Sequence, residues 1–129
     1  MKRRTYLKSV IAVASGAFTD GSETARPIEL HVDLTVDQAK EQEMLHNFRT
    51  IFQPAARKQP GFIDVKMLKL RLVMQGELSQ GANYRFVLTF ANEELRKQWV
   101  ASETHQQVWP TIEKTLKTKD YTIVLYDET

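Results

Sequence analysis

Ile28-Glu-Leu-His-Val-Asp-Leu34, running directly into Thr35-Val-Asp-Gln38, is the stretch that decides the fold. Its apolar residues fall on even positions and its polar residues on odd ones, the pattern of a strand with one dry face. Thr35 then predicts a helix N-cap, with Gln38 three residues on as its capping-box partner and Asp37 in the first turn. Leu45, Phe48, Phe52 and Ala55 recur at three- and four-residue spacing, one apolar stripe along that helix. Pro54 predicts a kink in the last turns, and Gln59-Pro60-Gly61 an end.

Working outward, the pattern repeats. Phe62 to about Val73 predicts a long strand, with Ile63, Val65 and Met67 on one parity and Leu68, Leu70 and Leu72 on the other. Such a switch predicts either a bulge or a strand covered on both faces. Gly76 and Gly81 mark a turn region, and Tyr84-Arg-Phe-Val-Leu-Thr-Phe90 predicts the next strand. Asn92 is placed to cap a helix whose first turn holds Glu93 and Glu94 and whose apolar side is Leu95, Trp99 and Val100. A break near Ser102–Thr104 leads to a second short helix through Val108, Trp109, Ile112 and Leu116, its start delayed to Pro110. Tyr121-Thr-Ile-Val-Leu-Tyr126 predicts the last strand.

Strand, helix, strand, strand, helix, strand is the split βαβ order of α+β ferredoxin-like folds, a four-stranded antiparallel sheet with helices on one face. Val87, Val124 and Tyr126 then fall on the face that the helices leave uncovered. A second copy is the simplest cover, so the pattern predicts a homodimer with its sheets packed face to face into an α+β barrel.

The ends and the composition set further bounds. Met1-Lys-Arg-Arg-Thr-Tyr-Leu-Lys8, then the mild apolar run Ser9–Phe18, has the layout of a secretory signal. Arg3 and Arg4 resemble the twin-arginine type, which implies export, to the periplasm by that route. Cleavage falls after Ala12-Val-Ala14 or near Ala25, and residues 19–27 read as a linker. The expected division is 1–26 for signal and linker and 27–129 for the domain. The chain has 129 residues, 42% hydrophobic and 26% charged, enough for one core and unlike a disordered sequence. Five of its 18 basic residues and two of its 16 acidic ones lie in 1–26, so the rest is one charge below neutral. That balance argues against a nucleic-acid partner. No apolar run reaches the roughly 20 residues of a membrane span, so no stable membrane anchor is expected. The absence of cysteine removes disulfides, thiolate metal sites and cysteine catalysis.

Residues 28–127 resemble the antibiotic-biosynthesis-monooxygenase family of dimeric α+β barrels. The resemblance rests on the opening strand, the helix running into Pro54-Ala-Ala, Pro60-Gly61-Phe62, the strand Tyr84–Phe90, and Trp99-Val-Ala-Ser102-Glu-Thr-His105. It implies a homodimer with a pocket in each subunit between sheet and helices. It also implies oxidation of a phenolic aromatic by molecular oxygen, with no metal, flavin or other cofactor. The family's haem-opening branch carries an Asn on the first strand and a His ten positions after the Trp. This chain has no first-strand Asn, and position 109 is Trp, so haem degradation is not expected. The quinone-forming branch uses Asn, Trp and Tyr. Trp99 matches, and Asn92 stands near the matching helix, where it also reads as a cap.

Two catalytic candidates follow. Trp99 offers a stacking wall and an indole N–H, or alternatively plain core packing. His105, at the break between helices, offers a base for a phenol proton, or alternatively a surface imidazole. The expected substrate pocket is Asn92, His31, Asp33, Phe48, Phe52 and Tyr84. His31 between Glu29 and Asp33 also reads as a carboxylate-held base, or as a sparse metal-like cluster; no metal is expected. His46 reads as solvated, and Tyr84, Tyr121 and Tyr126 as cross-strand packing. Two functions stand: a cofactor-independent monooxygenase acting on a small aromatic, or a non-catalytic dimeric barrel that binds a hydrophobic small molecule.

Overall fold

The computed structural model describes residues 26–78 and 81–129. The segment expected to be an export signal, with Arg3 and Arg4, lies outside the described residues. The chain forms β1 (Ile28–Leu34), α1 (Glu41–Asn47), α2 (Gln53–Arg57), β2 (Phe62–Lys69), β3 (Tyr84–Phe90), α3 (Glu93–Ala101), α4 (Glu103–Glu113) and β4 (Thr122–Asp127). A 3₁₀ turn over Gln38–Lys40 leads into α1, and a π-type turn over Phe48–Phe52 joins α1 to α2. The strands pair antiparallel in the order β2-β3-β1-β4, the ferredoxin-like order expected.

Several local devices differ from the sequence expectation. The helical region opens at Asp37, whose carboxylate accepts from Ala39 N at 3.0 Å, and not at Thr35. Thr35 and Val36 instead continue the extended chain: Lys117 N donates to Thr35 O at 2.8 Å, and Val36 bridges to Leu116. Asn83 reinforces this, its side-chain amide bonding both Val36 N (2.8 Å) and Val36 O (2.9 Å). Pro54 does not simply kink the helix. It lacks an N–H and its ring crowds the carbonyl one turn back, so the preceding turn widens to the π-type Phe48–Phe52. Pro110 does not delay α4, which starts at Glu103 and accommodates the proline within it.

Strand β2 is also shorter than expected. The register slips between Phe62 and Asp64, so the bulge sits at Ile63, five residues before the parity switch. Leu70, Leu72, Val73 and Met74 lie beyond the strand and are exposed. Gly61 sets the angle between α2 and β2. Its φ is +84°, and an added Cβ would stand 2.5 Å from Leu95 Cδ1 and 3.0 Å from Leu95 Cβ. Only glycine meets both constraints without strain.

The register assigns the faces. Leu30, Val32 and Leu34 of β1 share the helix side with Phe86, Leu88, Val65, Met67, Ile123 and Leu125. Between this face and the helices lies the core, in which Leu34, Phe52, Phe90, Trp99 and Ile112 are essentially inaccessible. Burying each large apolar side chain contributes roughly 1.5–3 kcal/mol. The outer face carries Val87, Val124, Tyr126 and Leu68, but it is more mixed than the pattern suggested. Arg85 clasps Asp33 (2.8 and 3.2 Å), and His31 pairs with Glu29 (2.9 Å). Strand β4, at the edge of the sheet, is exposed on both faces, Ile123 at 54%. Among the described residues no helix is long and apolar enough to cross a membrane.

Candidate functional site

Ser102 builds the corner on which the site rests. Its N–H closes α3 on Trp99 O (3.1 Å), and its hydroxyl donates to the same carbonyl at 2.6 Å. The same hydroxyl opens α4 by accepting from His105 N at 3.1 Å. One residue thus ends one helix and begins the next. The indole of Trp99 and the imidazole of His105 consequently meet edge to face, with ring centroids 5.0 Å apart at 88°.

These rings line a cavity of about 220 Å³ between the helix side of the sheet and the α3–α4 corner. Leu30, Val32, Phe86 and Leu88 come from the strands; Phe52, Arg96, Trp99, Val100, His105 and Trp109 come from the helices. Tyr121 and Ile123 complete it. The aromatic lining is mutually packed: Phe52 lies 5.9 Å from both Trp99 and Trp109, and Phe86 lies 5.7 Å from Trp109. Trp109 Nε1 donates to Tyr121 Oη (3.2 Å), which donates to Glu113 Oε2 (2.8 Å). Burial, and then this carboxylate, push the Tyr121 phenol above its ordinary value, so it stays protonated.

Three polar groups belong to the residues that line this apolar space, and one of them, the Trp99 N–H, is sealed from it. The Trp99 side chain is 1% exposed, and its Nε1–H has no hydrogen-bond acceptor among the described residues. A buried donor left unmatched costs roughly 1–3 kcal/mol. His105 is half-buried and its ring makes aromatic contacts to Phe52, Trp99 and Trp109. Burial, and secondarily the Arg96 cation, hold its pKa below the ordinary histidine value. The imidazole is therefore neutral at neutral pH and free to accept a proton. Arg96 is clamped by Glu93 through two 2.7 Å bonds, which fixes its guanidinium in the cavity lining.

The structure brings His105, Trp99 and Phe52 together. It does not bring the other expected pocket residues to them. Phe48 stands behind the cavity, stacked on Phe52 (6.3 Å) and against Phe86 (6.4 Å). Asn92 caps α3, its Oδ1 accepting from Leu95 N at 2.9 Å. His31 and Asp33 lie on the outer face of the sheet, opposite the cavity. Tyr84 is on the helix side but at the far end of β3, donating to Glu41 Oε2 at 2.5 Å. Burial and that carboxylate push its phenol up to about 12. Tyr84 and Asp33 border a separate hollow of about 240 Å³ with Leu68, Leu70 and Arg71. The metal-like reading of His31 fails geometrically: among the described residues no three His, Asp or Glu side chains stand close enough to hold a metal ion.

Arg96, Trp109, Tyr121, Leu30, Val32 and Ile123 were not singled out as pocket residues from the sequence. Arg96 carried one usable signal, its place three residues after Glu93 on the Trp99 helix. The apolar residues carried none, since they follow the same periodicity as core.

No family model and no curated protein matches the chain. Solved structures do match its fold. A candidate antibiotic biosynthesis monooxygenase from Caulobacter crescentus CB15 aligns with 86% of this chain and 97% of its own, at TM-score 0.66 and 14% identity. SnoaB, a cofactor-independent oxygenase from Streptomyces nogalater, aligns with 81% of this chain and 95% of its own, at TM-score 0.63 and 16% identity. A dimeric ferredoxin-like protein from Jannaschia sp. CCS1 aligns with 80% and 98%, at TM-score 0.63 and 18% identity. At these identities the likeness establishes the fold alone: α+β, ferredoxin-like.

Proposed function

We propose that this chain is a cofactor-independent monooxygenase that oxidises a small phenol with molecular oxygen. The observation that carries the reading is the cavity itself: apolar, walled by Trp99 and Trp109, with a neutral imidazole and the Arg96 guanidinium in its lining. Likeness to a cofactor-independent oxygenase supports it at the level of the fold. The chemistry asks for a phenolate, because oxygen takes electrons from the anion far more readily than from the phenol. Phenols titrate near 10, so the site must both remove the proton and favour the anion. His105 removes it. The Arg96 cation in the lining then favours the anion through its field. Oxygen bonds at the ring carbon para to the hydroxyl, and the resulting hydroperoxide loses water, taking one proton from that carbon and one from imidazolium. The balance is one phenol and one O2 to one para-quinone and one water, with the substrate as the sole reductant.

The test is oxygen uptake by the purified protein with simple phenols, with and without a metal chelator. Uptake that is insensitive to chelator and lost in His105→Ala supports the oxygenase. Binding of phenols without any uptake favours the alternative, a barrel that only binds small hydrophobic molecules.

Assembly as a homodimer belongs to the same proposal. Val124, Tyr126 and Leu68 on the outer face need a cover, and a dimeric ferredoxin-like neighbour supports a second copy. Export is a further part of it, on the strength of Arg3 and Arg4 ahead of the Ser9–Phe18 run. Fusion of residues 1–30 to a folded reporter tests this, and replacement of both arginines by lysine should stop translocation.

A further inference from the structure

We infer that the cavity is built for a phenol of one or two rings, and that tricyclic and larger aromatics are excluded by size. The inference rests on the oxygenase reading for the word phenol; the size class rests on geometry alone. An apolar cavity of about 150 Å³ lined by aliphatic and phenyl groups takes one benzene. The present cavity measures about 220 Å³, roughly half as large again. That volume accommodates two fused rings, or one ring with substituents, and falls short of three.

The boundary does not yield readily to a larger guest. Trp109 is held by Tyr121 and Glu113 through consecutive hydrogen bonds, and Phe52 is gripped by Phe86, Trp99 and Trp109. Close-packed aromatic walls move as a unit or not at all. A third ring would have to stand in the mouth, where Val100 and Ile123 are the most exposed lining residues and little surface is left to bury it. The second constraint is chemical. The polar side chains in the lining, Arg96 and His105, offer partners to one ligand oxygen, which a hydrocarbon of the right size lacks. A two-ring arene bearing one oxygen meets both demands.

Both tryptophans of the chain line this cavity, so intrinsic fluorescence reports its occupancy without a label. The full chain is titrated with phenol, 1-naphthol and anthrone, and oxygen uptake is recorded for each. The expected order is 1-naphthol tightest, phenol about 10-fold weaker through its smaller buried area, and anthrone at least about 10-fold weaker than 1-naphthol through the lost fit. Naphthalene should bind about 10-fold more weakly than 1-naphthol, and His105→Phe should narrow that difference while both tryptophans still report binding. Anthrone binding as tightly as 1-naphthol overturns the size class, as does the absence of any quenching at millimolar ligand. If 1-naphthol binds in the expected order and consumes no oxygen, the size class stands and the oxygenase reading falls. If anthrone is the better oxygen-consuming substrate, the oxygenase reading stands and the size class falls.

Discussion

Replacing Ser102 by alanine should damage the site more than it damages the fold. The hydroxyl is the N-cap of α4 and also donates to the last turn of α3. Loss of an N-cap costs roughly 1 kcal/mol, with extremes near 0.5 and 2. The second bond, to a carbonyl that Ser102 N–H still serves, adds little. For a domain of about 100 residues, 1 kcal/mol lowers Tm by roughly 4–8 °C. Asn92→Ala is the matched control. It removes the N-cap of α3, one bond of 2.9 Å, at a similar cost in stability, but leaves the α3–α4 corner intact. Both variants should therefore melt several degrees early by thermal circular dichroism. Their oxygen uptake with a bound phenol should differ: Ser102→Ala loosens the 5.0 Å approach of His105 to Trp99 and loses about 10-fold or more, while Asn92→Ala keeps its rate below its lowered Tm. Asn92→Asp, which retains a capping oxygen, should restore Tm as well. The reasoning is refuted if Asn92→Asp is stable and inactive, because Asn92 would then touch substrate and the cap would be incidental.

Three other perturbations probe separate parts of the argument. Gly61→Ala should lower Tm by more than Gly76→Ala, since both have positive φ but only Gly61 would press its Cβ on Leu95; equal Tm losses would refute the close-approach account. The neutral imidazole of His105 is the active form and its pKa is depressed by burial and Arg96, so kcat/KM should fall only as pH drops below 6.5, and His105→Ala should lose that limb with about 10² of the rate; a limb centred above 6.5 in the wild type contradicts the assignment. Val124→Asp places a charge on the outer face, on the edge strand β4 beside His31, and should convert a dimer to monomer by light scattering; a monomeric wild type at micromolar concentration ends the face-to-face argument.

How far the sequence reached depends on which physical signal each feature leaves. Alternation in Ile28–Leu34 and Tyr84–Phe90 translated directly into strands with the expected bounds, because one face of each is buried and register is then dictated. The end of β2 differs for the converse reason: Leu70 and Leu72 continue an apolar pattern, yet the ladder with β3 ends at Lys69 and Tyr84, with one further bond from Leu70 N to Asn83 O. Asp37 displaced Thr35 as the cap because the chain from 35 to 36 is held extended by Leu116 and Lys117, contacts about 80 residues away in sequence.

The site divides along the same line. His105 and Trp99 were legible because a helix break next to an aromatic is a local feature. His31 and Asp33 drew attention as polar residues on a strand, and their parity places them across the sheet from this cavity. A strand alternates sides, so a pocket on the helix side of β1 must be lined by Leu30 and Val32 and cannot include His31. A pocket for an apolar ring is lined by residues that follow the periodicity of core, and periodicity cannot say whether the space between them is filled. That depends on side-chain volumes meeting from elements far apart in sequence: Phe52, Phe86, Trp109 and Ile123 each complete a separate element's pattern, and the cavity is what remains between them. Burial of the Trp99 N–H without an acceptor among the described residues is likewise encoded by no pattern, since it arises only when packing from several elements closes around that donor.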